Sequence, residues 1–276
     1  MNQARFPNHV VQMPSTVQEV ASDGRPLAFV HINKTAGTSF TQYLRAHFPD
    51  ESAVAPPFYG DMESLELDDP RRRLFWGHFT YAQFYDRCPQ AWFITFLRDP
   101  VQRLISQYRS LHNPANLSGG WERVLPDHAR TGLEFAQQAS FEEFVMSEDP
   151  FIEGHLRDLQ TRFLSSHSNR EHPNYLSSAI RNLSECFLFF GITEAFQDSI
   201  QLFRYQLQSS VDYRAKKFDR NKSRLYDVES KDSAVRQRIE ELLTNDRRLY
   251  DFARHEFAAR VMRMQQGQQL SAHEAA

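Results

Sequence analysis

The sequence predicts an α/β fold: a central, mainly parallel sheet flanked by helices on both faces. Three apolar runs, each followed by a helical pattern, point to it: Leu27–Ile32, Ala91–Leu97 and Cys186–Ile192. They are rich in Phe, Val and Ile and lack the strict alternation of a half-exposed strand, so they read as strands buried on both sides. Strands that alternate with helices favour a parallel sheet, in which ligands sit beyond the carboxyl ends of the strands.

Composition sets the bounds. The chain has 276 residues, 41% hydrophobic and 13% aromatic, enough for one substantial core. A single domain is expected over 25–261, between a flexible arm at 1–24 and a disordered tail at 262–276. A formal net charge of −3 gives no global signature of nucleic-acid binding, so any anion site must be local. No run approaches the roughly 18 apolar residues of a membrane span, and MNQARFPNHVVQMPSTVQEV has no signal-peptide core. Cys88 and Cys186 lie in apolar surroundings and read as buried free thiols. No His/Cys/Asp cluster has ligand spacing, so no metal is expected.

Taken in order, the first strand runs into Asn33–Ser39, small and polar with one Gly, and then into Phe40, Tyr43, Leu44 and Phe48 at helical spacing. A helix is therefore expected to start near Thr38. A strand, a small-residue turn and a helix N-terminus offer unpaired N–H groups and a positive dipole end to phosphate or sulfate. Lys34 adds a cation there, and Thr35, Thr38 and Ser39 add hydroxyls. The unit is P-loop-like, but Asn33 precedes the Lys and the Gly follows it, the wrong spacing for a Walker loop. Read alone, a plain connection with a surface Lys is the lesser alternative.

Leu74–Trp76 reads as a short strand ending at Gly77-His78, with a short helix over Thr80–Tyr85. The second long strand ends at Arg98-Asp99-Pro100, where Asp99 suits an N-cap and Pro100 the first turn of a helix through Leu104, Ile105 and Tyr108. Residues 112–132, with Pro114, Gly119-Gly120 and Pro126, read as a surface excursion. Helical pieces are expected at Phe141–Met146 and His155–Leu164. After the third long strand, Thr193 caps a helix through Phe196, Ile200 and Phe203. A charged loop follows with Arg214, Lys216, Lys217, Arg220, Lys222 and Arg224, and a last helix spans 233–261 with a break near Asn245.

HINKTAGTSF resembles the 5′-phosphosulfate loop of sulfotransferases that use 3′-phosphoadenosine 5′-phosphosulfate (PAPS), in the carbohydrate branch that includes the heparan sulfate 2-O and 6-O enzymes and related bacterial proteins. ITFLRDPVQRLISQYRS resembles that family's 3′-phosphate motif, a strand ending in Arg-Asp/Asn-Pro with a Ser two helical turns on. WGHFTYAQF resembles the G-H-x-x-F/Y segment between the two motifs in uronyl 2-O-sulfotransferases. LQTRFLSS, FFGITEAFQDSIQLF and DRRLYDFA resemble further segments of the branch, so the likeness touches most of the chain from Leu27 to Ala253.

The resemblance implies a sulfotransferase/nucleotide-kinase-like fold and an O-sulfotransferase that takes PAPS, releases 3′,5′-ADP and sulfates a hydroxyl, most naturally on a carbohydrate. It implies Lys34 as the cation at the leaving phosphate and His78 as the base, a role for which an imidazole is suited near neutral pH. Thr35, Gly37, Thr38, Ser39 and Phe40 would hold the 5′-phosphosulfate, Arg98 and Ser106 the 3′-phosphate, and Lys222, Ser223 and Arg224 the nucleotide from the basic loop. Arg162 would reach the acceptor or the nucleotide. Eukaryotic relatives are anchored in the Golgi; the missing anchor points to a soluble, bacterial, cytoplasmic enzyme. Bland alternatives stand beside these roles: Arg98 in an ion pair at its strand end, His78 bonded in a polar pocket, Arg162 paired with Asp158, Arg103 packed at the sheet edge, and a merely solvated basic loop. His31 reads as structural, and His155, Glu153, Glu142 and Glu143 are weaker base candidates. A nucleotide-dependent kinase needs a carboxylate for Mg²⁺ where the second strand instead ends in Arg98. A non-catalytic anion-binding module is the third reading, and oligomeric state is not readable.

Overall fold

The structure, a computed structural model, describes residues 3–6, 9–12, 16, 19–20, 24–55, 62–113, 125–211, 213 and 232–274. An antiparallel hairpin opens the chain: Gln3–Phe6 (β1) pairs with His9–Gln12 (β2), Gln3 opposite Gln12 and Phe6 opposite His9. Leu27–Val30 (β3) leads into a helix at Gly37–Arg45 (α1), then a two-residue strand, Ala53–Val54 (β4). Leu74–Gly77 (β5), the helix Tyr81–Tyr85 (α2) and Trp92–Leu97 (β6) follow. Helices come next at Pro100–His112 (α3), Asp127–Gln138 (α4), Phe141–Met146 (α5), Pro150–Leu156 (α6), Leu159–Leu164 (α7) and Tyr175–Glu185 (α8). Phe187–Ile192 (β7), a 3₁₀ turn at Thr193–Ala195, Phe196–Gln206 (α9), Ser233–Leu242 (α10) and Thr244–Glu274 (α11) complete the order.

β3 to β7 form one five-stranded parallel sheet in the order β4-β5-β3-β6-β7. β3 lies between β5 and β6, with Val30 level with Gly77 on one side and Thr95 on the other. The carboxyl ends of three adjacent strands therefore share one edge, and the chain leaves β3 toward one side of the sheet and later returns on the other. This is the switch point at which open α/β sheets bind ligands.

Every residue of β6 and β7 is buried, which is why they read as continuous apolar runs. Phe93 and Phe96, three apart in β6, face opposite sides. Phe96 meets Phe40 of α1 and Phe196 of α9, while Phe93 meets Tyr81 and Phe84 of α2, so helices cover both faces. Between Phe93 and Ile94 the partner register jumps from Phe187 to Phe189; this bulge at Leu188 lets Phe187 join Phe93 on one face and Phe189 join Phe96 on the other.

The expected single domain divides into two compact units, Met1–Arg98 with Gln160–Tyr213 and Leu249–Ala276, and Asp99–Leu159 with Arg214–Arg248. The first holds the sheet. The second has its own core, with Leu104 and Leu111 of α3, Leu133 of α4, Phe144 of α5, Ile152 of α6 and Ile239 of α10. Its buried charges are spent on helix ends. The fully buried Arg103 donates to the carbonyls of His155 and Leu156, both at 3.1 Å, closing the end of α6. Asp158, at φ 43°, accepts the N–H groups of Asn245 at 2.8 Å and Asp246 at 3.0 Å, so the start of α11 is capped from a distant part of the chain.

Three expectations need correction. The arm expected at 1–24 contains the β1–β2 hairpin. Helix α4 occupies part of the excursion, and its breaker-rich part, 114–124, lies outside the described residues. The tail expected to be disordered from 262 is helical as far as Glu274. Met, Arg, Gln and Leu there are strong helix formers although polar on average. Met264 is buried, and a Cβ on Gly267 would run into the Tyr205 hydroxyl, so α11 packs closely there.

Candidate active site

All of the site geometry that follows belongs to the first unit. β3 ends at Val30, and the backbone then passes through two left-handed residues that are not glycine, Lys34 at φ 69° and Ala36 at φ 62°. Such conformations persist only where surrounding contacts impose them. Two ties do so: the buried Thr35 Oγ1 donates to the Ile32 carbonyl at 2.8 Å, and Arg98 Nη1 donates to the Lys34 carbonyl at 3.2 Å. The turn delivers Gly37 to the first position of α1, where the N-cap Ala36 supplies no side-chain bond to the free amides. Gly37 is required there, because a Cβ would collide with the imidazole of His31.

Lys34 is half-buried, and burial first, then the charge of Arg98, lower its ammonium pKa. An anion arriving beside it would reverse that shift. Asn33 Oδ1 is buried at the same turn without a hydrogen-bond partner among the described residues, and a ligand hydroxyl or water would satisfy it. Thr38 is exposed and Ser39 half-buried, both available at the helix start.

His78 follows β5 by one residue, and its Nδ1 lies 2.7 Å from the His31 carbonyl. A carbonyl can only accept, so Nδ1 carries the proton and Nε2 is the unprotonated nitrogen. The two imidazoles lie 4.4 Å apart between centroids, and His31 stacks on Phe29 in turn. Burial pushes the His78 pKa below the ordinary imidazole value; the carbonyl bond opposes it, and the Lys34 charge adds a smaller push downward. His31 is pushed further down, by burial, by His78 and by Lys34. Both rings are therefore neutral at pH 7, given an ordinary value of about 6.5.

Arg98 follows the last residue of β6. Besides its bond to the Lys34 carbonyl, its Nε lies 3.8 Å from Glu194 Oε1. The Gln160 side chain brackets its backbone, accepting the Arg98 N–H and donating to the Arg98 carbonyl, both at 2.9 Å. Thus β3, β5 and β6 each contribute one group at the same sheet edge: Lys34, His78 and Arg98.

The family model for sulfotransferases matches residues 19–253. The chain belongs to the sulfotransferase family. As a sulfotransferase it moves a sulfuryl group from a nucleotide sulfate donor to an acceptor. A crystal structure of a sulfotransferase from Alicyclobacillus acidocaldarius is similar over 80% of this chain and 96% of its own, at 17% identity and a TM-score of 0.42. Comparison with curated protein sequences finds no match.

Among the expected site residues of this sulfotransferase, Lys34, Gly37, Thr38, Ser39, His78 and Arg98 gather at one edge of the sheet. Two others also serve the loop and the core. The Phe40 ring is buried against Phe29, Phe96, Phe189 and Phe203, and its amide bonds the Ala36 carbonyl, so it anchors α1 in the core. The Thr35 hydroxyl is committed to the loop's own backbone. Ser106 is half-buried on α3, in the second unit, and Arg162 half-buried on α7. Lys222, Ser223 and Arg224 lie outside the described residues.

The weaker base candidates have other duties: Glu143 caps α5 with Ser140, Glu153 pairs with Arg157 and Arg238, and His155 bonds the Phe151 carbonyl. Among the described residues no group of three or more His, Cys, Asp or Glu could hold a metal ion, and no helix is long and apolar enough to cross a membrane. His31, Gln160 and Glu194 are contributors that the motifs did not single out. His31 acts through its carbonyl and Gln160 through a backbone clamp, functions without a spacing signature, although all three residues stand in segments already conspicuous by their resemblance.

Proposed function

We propose that this enzyme is a PAPS-dependent O-sulfotransferase whose acceptor is a hydroxyl group, on a glycan, and that His78 and Lys34 carry the chemistry. His78 Nε2 removes the proton from the acceptor hydroxyl as its oxygen forms a bond to sulfur. The bond from sulfur to the 5′-phosphate oxygen breaks in line, and the Lys34 ammonium stabilises the charge that collects on that oxygen as 3′,5′-ADP leaves. The amides at Gly37, Thr38 and Ser39 face the phosphosulfate from an uncapped helix start. Arg98 takes the 3′-phosphate, for which its planar fork is suited, and Ser106 keeps its motif-based assignment to the same group.

The observation that carries this reading is the 2.7 Å contact between His78 Nδ1 and the His31 carbonyl. It fixes the tautomer in which Nε2 can accept a proton, in a ring that feels the Lys34 charge. A base and a cation of this kind, within electrostatic reach of each other beside an anion cradle, are what sulfuryl transfer to a hydroxyl needs. A nucleotide kinase would need a carboxylate for Mg²⁺ at the end of β6, where Arg98 stands.

The test is sulfate incorporation from PAPS into a panel of glycans and simple alcohols, read by mass spectrometry. Lys34→Ala should lower kcat by about 10²–10³-fold without unfolding the protein. Undiminished transfer by that variant would remove Lys34 from the mechanism, and transfer confined to non-carbohydrate alcohols would correct the acceptor class.

A further inference from the structure

The Arg98 side chain is approached by an acceptor at two different nitrogens. Nη1 donates to the Lys34 carbonyl at 3.2 Å, and Nε lies 3.8 Å from Glu194 Oε1. The second contact is a charge pair longer than a hydrogen bond. Glu194 is not left to find its own orientation: its other oxygen, Oε2, accepts the Tyr250 hydroxyl at 2.7 Å. Gln160 fixes the arginine's main chain from the opposite end through its paired 2.9 Å bonds. Neither Glu194 nor Tyr250 has a part in the chemistry proposed above.

A guanidinium on a long side chain loses much rotamer entropy when it must present its donors in one plane. The Nη1 hydrogen bond and the Glu194 charge 3.8 Å from Nε together bias the orientation of that plane, and with it the direction in which the remaining donors point. The Tyr250 hydroxyl matters because Glu194 is 39% exposed, and a carboxylate in that setting would otherwise sample several rotamers.

We propose that Glu194, oriented by Tyr250, is a positioning residue that sets Arg98 to receive a 3′-phosphate, and so gives the enzyme its preference for nucleotides that carry one. This rests on the assignment of Arg98 to the 3′-phosphate. Glu194 acts through Arg98 and does not itself touch the nucleotide. Its negative charge also opposes an incoming phosphate, so the inference requires orientation to outweigh repulsion.

The experiment is calorimetric titration of the full chain with 3′,5′-ADP and with 5′-AMP, for wild type, Arg98→Ala, Glu194→Gln and Tyr250→Phe. Wild type should prefer 3′,5′-ADP, and Arg98→Ala should erase the preference. Glu194→Gln and Tyr250→Phe should each shrink it by about tenfold, equivalent to about 1.4 kcal/mol, with 5′-AMP affinity unchanged. Tyr250→Phe conserves volume and leaves the Glu194 charge in place, so it reads orientation alone. If wild type shows no preference, the Arg98 assignment falls and this inference with it. If the preference is present and lost in Arg98→Ala but intact in both other variants, only the role of Glu194 falls. Equal weakening of both nucleotides would show a merely structural part. A larger preference in Glu194→Gln would show that the carboxylate competes with the phosphate, and either result overturns the proposal.

Discussion

After β6 the chain turns into α3 through Asp99, whose carboxylate accepts the N–H of Gln102 at 2.9 Å, with Pro100 in the first turn. After β3 it turns into α1 through Ala36, a left-handed residue that offers its helix no side-chain bond. One helix start is closed by its own side chain. The other has no side-chain cap, an acceptor on Asn33 that is buried without a partner among the described residues, and a partly desolvated ammonium on Lys34. A side-chain cap at Ala36 would be the cheaper local solution, stabilising by about 1 kcal/mol. The chain instead holds an uncapped, left-handed turn with ties from Thr35 and Arg98. An anion bound at that helix start would supply the missing cap.

The largest effect that tests this contrast concerns His78, the proposed base. His78→Asn should lower kcat by about 10²–10⁴-fold and leave donor affinity nearly intact, because the amides and Lys34 remain. On the acid side the wild-type rate should fall with a midpoint below 6.5, since burial holds the His78 pKa below its ordinary value, and on the alkaline side it should fall as the Lys34 ammonium, whose pKa is also lowered, gives up its proton. The same shift has a stability consequence. The unfolded chain protonates these histidines near pH 6.5 while the folded chain resists, so the unfolded form binds more protons as pH falls. Their contribution is full above 6.5 and is lost as pH drops through the folded values of His31 and His78, by at most about 1.4 kcal/mol per pH unit for each. An acid limb above pH 7 in the rate profile would argue that some other group is the base.

The next pair alters each junction in turn. Gly37→Ala drives a methyl into the His31 ring and should cost about 1–3 kcal/mol. It should also weaken 3′,5′-ADP binding, since the ring or the loop must move. Asp99→Ala should cost about 1 kcal/mol and leave 3′,5′-ADP binding unchanged. Urea unfolding and nucleotide titration on both variants decide the matter; equal losses of affinity would mean that the two starts are not functionally distinct.

The same two junctions show what a sequence can and cannot disclose. Asp99 and Pro100 announce their helix start, as Thr80 and Gln83 announce theirs in a capping box, because capping is a local interaction between near neighbours. The buried strands were legible for a similar reason, since a strand covered on both faces carries its own apolar run. Lys34, Gly37, His78 and Arg98 were legible as motif residues. The bond that sets the His78 tautomer was not, because its acceptor is a main-chain carbonyl just past the end of another strand and carries no side-chain signature. Phe40 follows the loop directly and reads as part of it; only packing reveals that its ring points into the core. The two-residue β4 is too short to show a period, and the helix beyond Met262 is stabilised by contacts such as Met264 that average hydropathy hides.

The smallest effect is the most direct measure of what the open start costs. Ala36 sits at φ 62°, where a Cβ meets the carbonyl that follows it. Ala36→Gly removes that clash but gives the unfolded chain more freedom, two terms of opposite sign. At a positive φ the steric relief is the larger, so the variant should unfold about 0.5 kcal/mol less readily than wild type. Its empty loop would also be freer to leave the left-handed turn, so 3′,5′-ADP should bind slightly more weakly, since ordering that the wild type completes on folding would be deferred to binding. Gain of stability with loss of affinity is the signature of a turn strained in the service of its ligand. A destabilised variant with unchanged affinity would show that the alanine is relaxed where it stands.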